Sequence, residues 1–110
     1  MKKTAAFIVS AALFWSRSPL VIDPAGAAGI AYSGGNGETM ETAIVITGGD
    51  DSATTTAEYA WLRQHVPGAK VSAQFLIHDR TRVFDRLDVN LPDGSRKPFF
   101  FDITSGFGKI

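Results

Sequence analysis

Residues 82–104 read RVFDRLDVN, then LPDGSR, then KPFFFDIT, and these two alternating runs around a Pro-Asp-Gly turn constrain the fold more than any other stretch. Pro92 suits the second position of a type I turn, Asp93 tolerates the third, and Gly94 takes the left-handed conformation that closes a three-residue hairpin loop with a bulge. Pairing then starts at Leu91 with Ser95. It runs back through Val89 with Lys97, Leu87 with Phe99, Asp85 with Phe101 and Val83 with Ile103. Side chains alternate along a strand, so one face gathers Val83, Leu87, Val89, Phe99, Phe101 and Ile103, with Asp85 as the charged residue among them. A slip of one residue would set this row beside Phe100 and Asp102, so turn chemistry and hydrophobic pattern select the same register.

The N-terminal segment is of a different kind. Met1-Lys2-Lys3 is a basic start, the apolar run from Thr4 to Trp15 has the length of a secretory core, and it is too short to span a bilayer. Its opening resembles that of bacterial Sec signal peptides. Ala25-Gly26-Ala27 supplies a small-x-small cleavage pattern, with an uncleaved anchor and a buried cytosolic segment as the alternatives. The expected organisation is a signal peptide at residues 1–27, a flexible Gly-rich arm at residues 28–40 and a small α+β domain at residues 41–110, secreted or periplasmic, with no stable membrane insertion after cleavage.

Charge and cysteine usage exclude several function classes. Without Lys2, Lys3, Arg17 and Asp23, the chain's 11 basic and 11 acidic residues become 8 and 10, a net of −2. A nucleic-acid binder of this size would be strongly basic. With no cysteine, a disulfide framework, a lipid-anchored cysteine, a thiolate metal site and a thiol nucleophile are all excluded. A domain this small then depends on its apolar core, or on association, to stay folded.

Upstream of the hairpin, residues 42–47 (TAIVIT) form a β-branched strand pattern with Ile44 and Ile46 on one face. Thr55 followed by Glu58 has capping-box spacing and Pro67-Gly68 is a stop, which predicts a helix over about residues 56–65 with Tyr59, Leu62 and Val66 on its apolar face, flanked by Ala60 and Trp61. Residues 70–78 (KVSAQFLIH) alternate, with Val71, Ala73, Phe75 and Ile77 read as inward and Ser72, Gln74, Leu76 and His78 as outward. Phe107, between two glycines, is expected to fold back on an apolar edge while the rest of the tail stays mobile. The order strand-helix-strand-strand-strand predicts a single four-stranded, mostly antiparallel sheet with one helix packed on one face. At the level of topology this is similar to cystatin-like domains. Their Gln-x-Val-x-Gly loop and Pro-Trp hairpin are absent, so no functional residue carries over.

The motifs for chemistry are sparse. Gly34-Gly35-Asn36-Gly37 lacks the Gly-Lys-Ser/Thr of a phosphate loop and reads as a linker. Asp50 and Asp51 lack calcium-loop spacing and sit where a helix dipole favours acids. His65 and His78 have no metal-ligand spacing, and the serines have no nucleophile elbow. On the outward face Leu76, Phe84, Arg86 and Phe100 come together, with Arg86 stacking on Phe100, and an aromatic and arginine cluster of this kind suits an interaction surface. The competing reading is a second layer covered by the Gly-rich arm. The function expected is a non-catalytic binding module without metal or cofactor, acting through these residues on a protein partner or a second copy. The alternative is a small hydrolase-type enzyme using Asp85 as general base beside His78. Mass spectrometry of exported protein should find Ala28 at its N-terminus; retention of residues 1–27 would remove the leader assignment.

Overall fold

The structure is a computed structural model that describes residues 29–110, so the expected leader lies outside the described residues. Its elements are β1 (Ala31–Gly34), β2 (Ile44–Thr47), α1 (Asp51–His65), β3 (Lys70–Asp79), β4 (Arg82–Asn90) and β5 (Arg96–Asp102). The β4–β5 hairpin has the register its turn dictates. Val89 faces Lys97, Leu87 faces Phe99 and Asp85 faces Phe101. Leu91 N–H donates to Ser95 O at 2.8 Å, Gly94 N–H donates to Leu91 O at 2.9 Å, and Gly94 has φ 91°.

The α+β class holds, but the sheet has five strands in the order β1-β2-β5-β4-β3 and is mixed. β2 lies parallel to β5, with Ile44 opposite Phe101, while the other three pairings are antiparallel. The reason is the crossover. α1 carries the chain from β2 to the far edge at β3, and the hairpin then returns to fill the gap, a split β-α-β arrangement.

The fifth strand comes from the segment expected to be a flexible arm. β1 pairs with β2 from Ala31 opposite Thr47 to Gly34 opposite Ile44, Ile30 is fully buried, and Tyr32 Oη donates to Ala57 O at 2.8 Å. Phe100 N–H donates to Gly37 O at 2.7 Å, which ties the glycine turn to the edge of β5. Two apolar anchors and a ladder of backbone bonds outweigh the flexibility that glycine composition suggests.

The helix begins earlier than the Thr55–Glu58 spacing implies. Asp50 is the N-cap and its carboxylate accepts Ala53 N–H at 2.8 Å. The threonines that follow are inside the helix, their hydroxyls donating back to carbonyls four residues earlier. The buried stripe runs through Thr54, Ala57, Glu58, Trp61 and Leu62, and Tyr59, expected inward, is 36% exposed.

In β3 the expected parity fails past Ser72. The register shifts between Val71, opposite Val89, and Ala73, opposite Asp88. Ser72 is the extra residue of a β-bulge, its hydroxyl donating to Asp88 O at 3.1 Å. Beyond it Gln74 faces Leu87 and Leu76 faces Asp85 on the helix side, and Phe75 faces Arg86 on the other.

The core lies between α1 and the sheet, where Trp61 meets Phe99 and Phe101 with ring centroids 5.9 and 5.7 Å apart and Leu62 joins Ile44, Ile46, Leu87 and Val89. The tail is tied down rather than mobile at its end: Asp51 N–H donates to Lys109 O at 2.9 Å, and a Cβ on Gly106 would collide with Thr54 Oγ1. With Leu62 4% exposed, Leu62→Ala should cost about 2–5 kcal/mol in denaturant titrations. Tyr59→Ala should stay within about 0.5 kcal/mol of wild type. An equal loss in both would mean the helix is rotated.

Candidate functional site

A pocket of about 330 Å³ opens on the helix side, between the first turns of α1, the distal half of β3 and the C-terminal tail. Asp51, Thr54 and Thr55 form one wall, Gln74 and Leu76 another, Asp85 lies at the base, and Ile103 and Phe107 close the tail side. Each side chain is there for a local reason. The Asp50 cap starts α1 early enough to bring Asp51 and Thr54 over β4, the Ser72 bulge turns Gln74 and Leu76 inward, and Gly106 allows the tail to approach the helix.

Asp85 is 4% exposed, and Gln74 Nε2 donates to its Oδ2 at 2.8 Å. Glu58 is completely buried, and neither of its carboxyl oxygens has a hydrogen-bond partner of settled geometry. An ionised carboxylate without donors in such a place is strongly disfavoured. Burial first, then a hydrogen bond with Asp85 and the negative charges of Asp85 and Asp51, push the Glu58 carboxyl up to about 10. Protonated at neutral pH, Glu58 is a neutral acid beside Asp85, with a proton it can donate. Asp85 thus accepts from the Gln74 amide, with the neutral acid of Glu58 beside it. The hydroxyls on the helix wall are also committed: Thr54 Oγ1 donates to Asp50 O at 2.8 Å and Thr55 Oγ1 to Asp51 O at 3.3 Å.

The residues expected to form an outer-face site are only partly brought together. Phe84, Arg86 and Phe100 do share the face away from α1, with Arg86 opposite Phe100. Leu76 does not, because the bulge puts it on the helix side, where it is 51% exposed at the pocket. Phe84 is 2% exposed rather than a surface ring, with Met40 and Glu41 beside it. The Arg86 guanidinium lies 5.3 Å from the Phe75 ring centroid and pairs with Asp88 at 2.7 Å. Phe75, read as inward, is the ring it covers.

Asp85 and His78 lie on the same face, but His78 is opposite Val83 and packs edge-on to Phe107 with centroids 5.5 Å apart. The partners of Asp85 are instead Gln74 and Glu58. Glu58 was legible at one point: Thr54, Glu58 and Trp61 follow the helical spacing of a buried stripe once the helix starts at Asp51. No three His, Asp or Glu side chains converge as metal ligands among the described residues, and none of their helices is long and apolar enough to cross a membrane. No protein-family model, curated protein or solved structure matches the chain.

The unfolded chain ionises Glu58 near the ordinary value of 4.5, whereas the folded chain holds the proton up to about 10. The stability contributed by this group is complete below pH 4.5 and is lost as pH rises toward 10, at about 1.4 kcal/mol per unit. Glu58→Gln keeps an amide donor for Asp85 and has no proton to lose. Its stability relative to wild type should therefore rise steadily from pH 5 to pH 9 in denaturant titrations, and a pH-independent difference would show that Glu58 is ionised in the folded protein.

Proposed function

We propose that the domain is a non-catalytic binding module whose ligand enters the pocket between α1 and β3–β4. The observation that carries this reading is the Asp85 carboxylate, fixed between Gln74 and the buried acid of Glu58 at the base of an open pocket. The Gln74 amide orients this carboxyl, with the acid of Glu58 beside it, which suits an acceptor for a ligand better than a proton-abstracting base. The hydrolase alternative needs His78 bonded to Asp85, whereas the Asp85 carboxylate accepts from Gln74 and the His78 ring packs on Phe107. On the strength of the leader read at residues 1–27, the module acts outside the cytosol, as a secreted or periplasmic protein.

A second reading keeps the outer sheet face as the contact surface for a protein partner or a second copy. It is favoured by Phe75, 49% exposed beneath Arg86, since a desolvated aromatic and arginine pair is common at interfaces. Ligand-observed NMR against a fragment library separates the two. Thr55→Trp, at an exposed position on the pocket rim, should abolish fragment binding, and Phe75→Ser should leave it intact. Fragments lost with Phe75→Ser and retained with Thr55→Trp would move the site to the outer face.

A further inference from the structure

A strand at the edge of a sheet leaves half of its backbone N–H and C=O groups without a ladder partner, and native edges are blunted by shortness, charge or proline. The two edges of this sheet differ in that respect. β1 is four residues long, whereas β3 is ten residues long and carries neither a charge nor a proline from Val71 to Ile77. The middle of β3 is open on both faces as well as along its edge: Leu76 is 51% exposed on the helix side and Phe75 49% exposed on the other. The bulge then gives this strand a symmetry that its sequence does not show. Because Ser72 is an extra residue, Lys70–Asp79 occupy only the nine ladder positions of Arg82–Asn90, and Phe75, opposite Arg86, is the middle one. Lys70 and Asp79 stand at the two ends, both exposed and both on the face of Phe75 by alternation. Lys70 faces the neutral Asn90, and Asp79 faces Arg82, whose guanidinium is taken by Asp102. Neither Lys70 nor Asp79 has an ion-pair partner among the described residues.

We propose that β3 pairs antiparallel with β3 of a second copy, about a two-fold axis through Phe75, so that the contact is the strand edge rather than the sheet face. An axis perpendicular to the sheet reverses the strand and keeps every residue on its own face. It sets Phe75 against Phe75 of the second copy, Ala73 against Ile77, and Lys70 against Asp79 at both ends of the interface, while Gln74 meets Leu76 on the helix side. The open backbone groups bond to one another, the two exposed rings cover each other, and each unpaired charge meets its opposite. Moving the axis to Gln74 would set Lys70 against Ile77, and moving it to Leu76 would set Asp79 against Ala73, so charge and hydrophobic pattern select the same register. The pairing does not depend on what the pocket binds.

The test is sedimentation equilibrium of the protein from about 1 μM to about 1 mM, which should show a monomer–dimer equilibrium. Lys70→Asp and Asp79→Lys each place like charges at both ends of the interface, and each should weaken the dimer by about tenfold. Both substitutions together restore opposite charges in reversed order and should recover most of the affinity, a result that mere damage to the fold would not give. The chain has no cysteine, so Phe75→Cys puts a single thiol on the axis. Mild oxidation should then yield a covalent dimer, whereas Ser33→Cys on the β1 edge should stay uncrosslinked. A protein that remains monomeric throughout the range would overturn the proposal and leave the β3 edge to an extended segment of another protein. A dimer that crosslinks through Ser33→Cys and not through Phe75→Cys would overturn it in favour of the opposite edge. Single charge variants that the double variant fails to rescue, or that leave the dimer unweakened, would overturn the register about Phe75 and the proposal with it.

Discussion

The structure turns on a carboxylate in the middle of an apolar row. The helix-facing side of β4 carries Val83, Asp85, Leu87 and Val89, all buried, and an unsolvated Asp85 without donors would cost more than one such domain can bear. Its polar neighbours come from two other elements, and each depends on a local feature of the chain. Gln74 reaches Asp85 because the bulge at Ser72 inverts the parity of β3. Glu58 reaches it because the Asp50 cap sets the phase of α1, so that Thr54 and Glu58 share the buried stripe with Trp61. The bulge, the helix phase and the docked tail all converge on this carboxylate.

The parts of the fold that were legible in the sequence are those encoded locally. The β4–β5 register follows from Pro92-Asp93-Gly94 and from strict alternation, and the Asp85–Phe101 pairing emerges from it directly. The bulge has no comparable signature. Residues 70–78 alternate without interruption, and the inversion at Ser72 arises from tertiary demand, because the unbroken pattern would point Phe75 at the helix and leave Asp85 facing an apolar chain. Thr55 and Glu58 imitate a capping box, while the actual cap is Asp50, whose carboxylate accepts Ala53 N–H, and the threonines back-bond inside the helix. The segment before β2 was misread by composition: its glycines form a tight turn, while Ile30 and Tyr32 on either side of Ala31 supply the anchorage. Of the site itself, Asp85 was recognisable as an inward charge, but its partners follow from the two features the sequence conceals.

The face away from the helix is more ordered than its residue types suggest. Arg82 pairs with Asp102 at 2.7 Å and Arg86 with Asp88 at 2.7 Å. Burial raises the Asp102 carboxyl, but the Thr104 hydroxyl and N–H together with Arg82 outweigh this and hold it below the usual carboxylate range. The arginines remain largely in water, so each pair contributes only about 0–1 kcal/mol. Their effect is to lay charged groups over Phe75 and Phe84, with the Arg82 guanidinium 4.9 Å from the Phe84 centroid. That coverage reduces the apolar surface on which the outer-face reading depends. It is the physical reason for proposing the helix side rather than this face as the binding surface.

Glu58 shows what the pocket requires of the fold. A leucine of similar size at a fully buried helix position would pack against the core and avoid any desolvation cost, and replacing buried charged groups by apolar ones is often stabilising. Such a replacement would leave Asp85 with Gln74 alone, on a partly exposed strand, and its carboxylate would be free to turn toward the strand end. An acid that stays protonated far above neutrality meets both demands: it is neutral enough to be buried and polar enough to donate. The stability surrendered as pH rises is the cost of burying this acid beside Asp85. A purely structural role for the pair would be served better by two apolar side chains, and the placing of two facing acids beneath an open pocket is what favours the proposal that Asp85 meets a ligand.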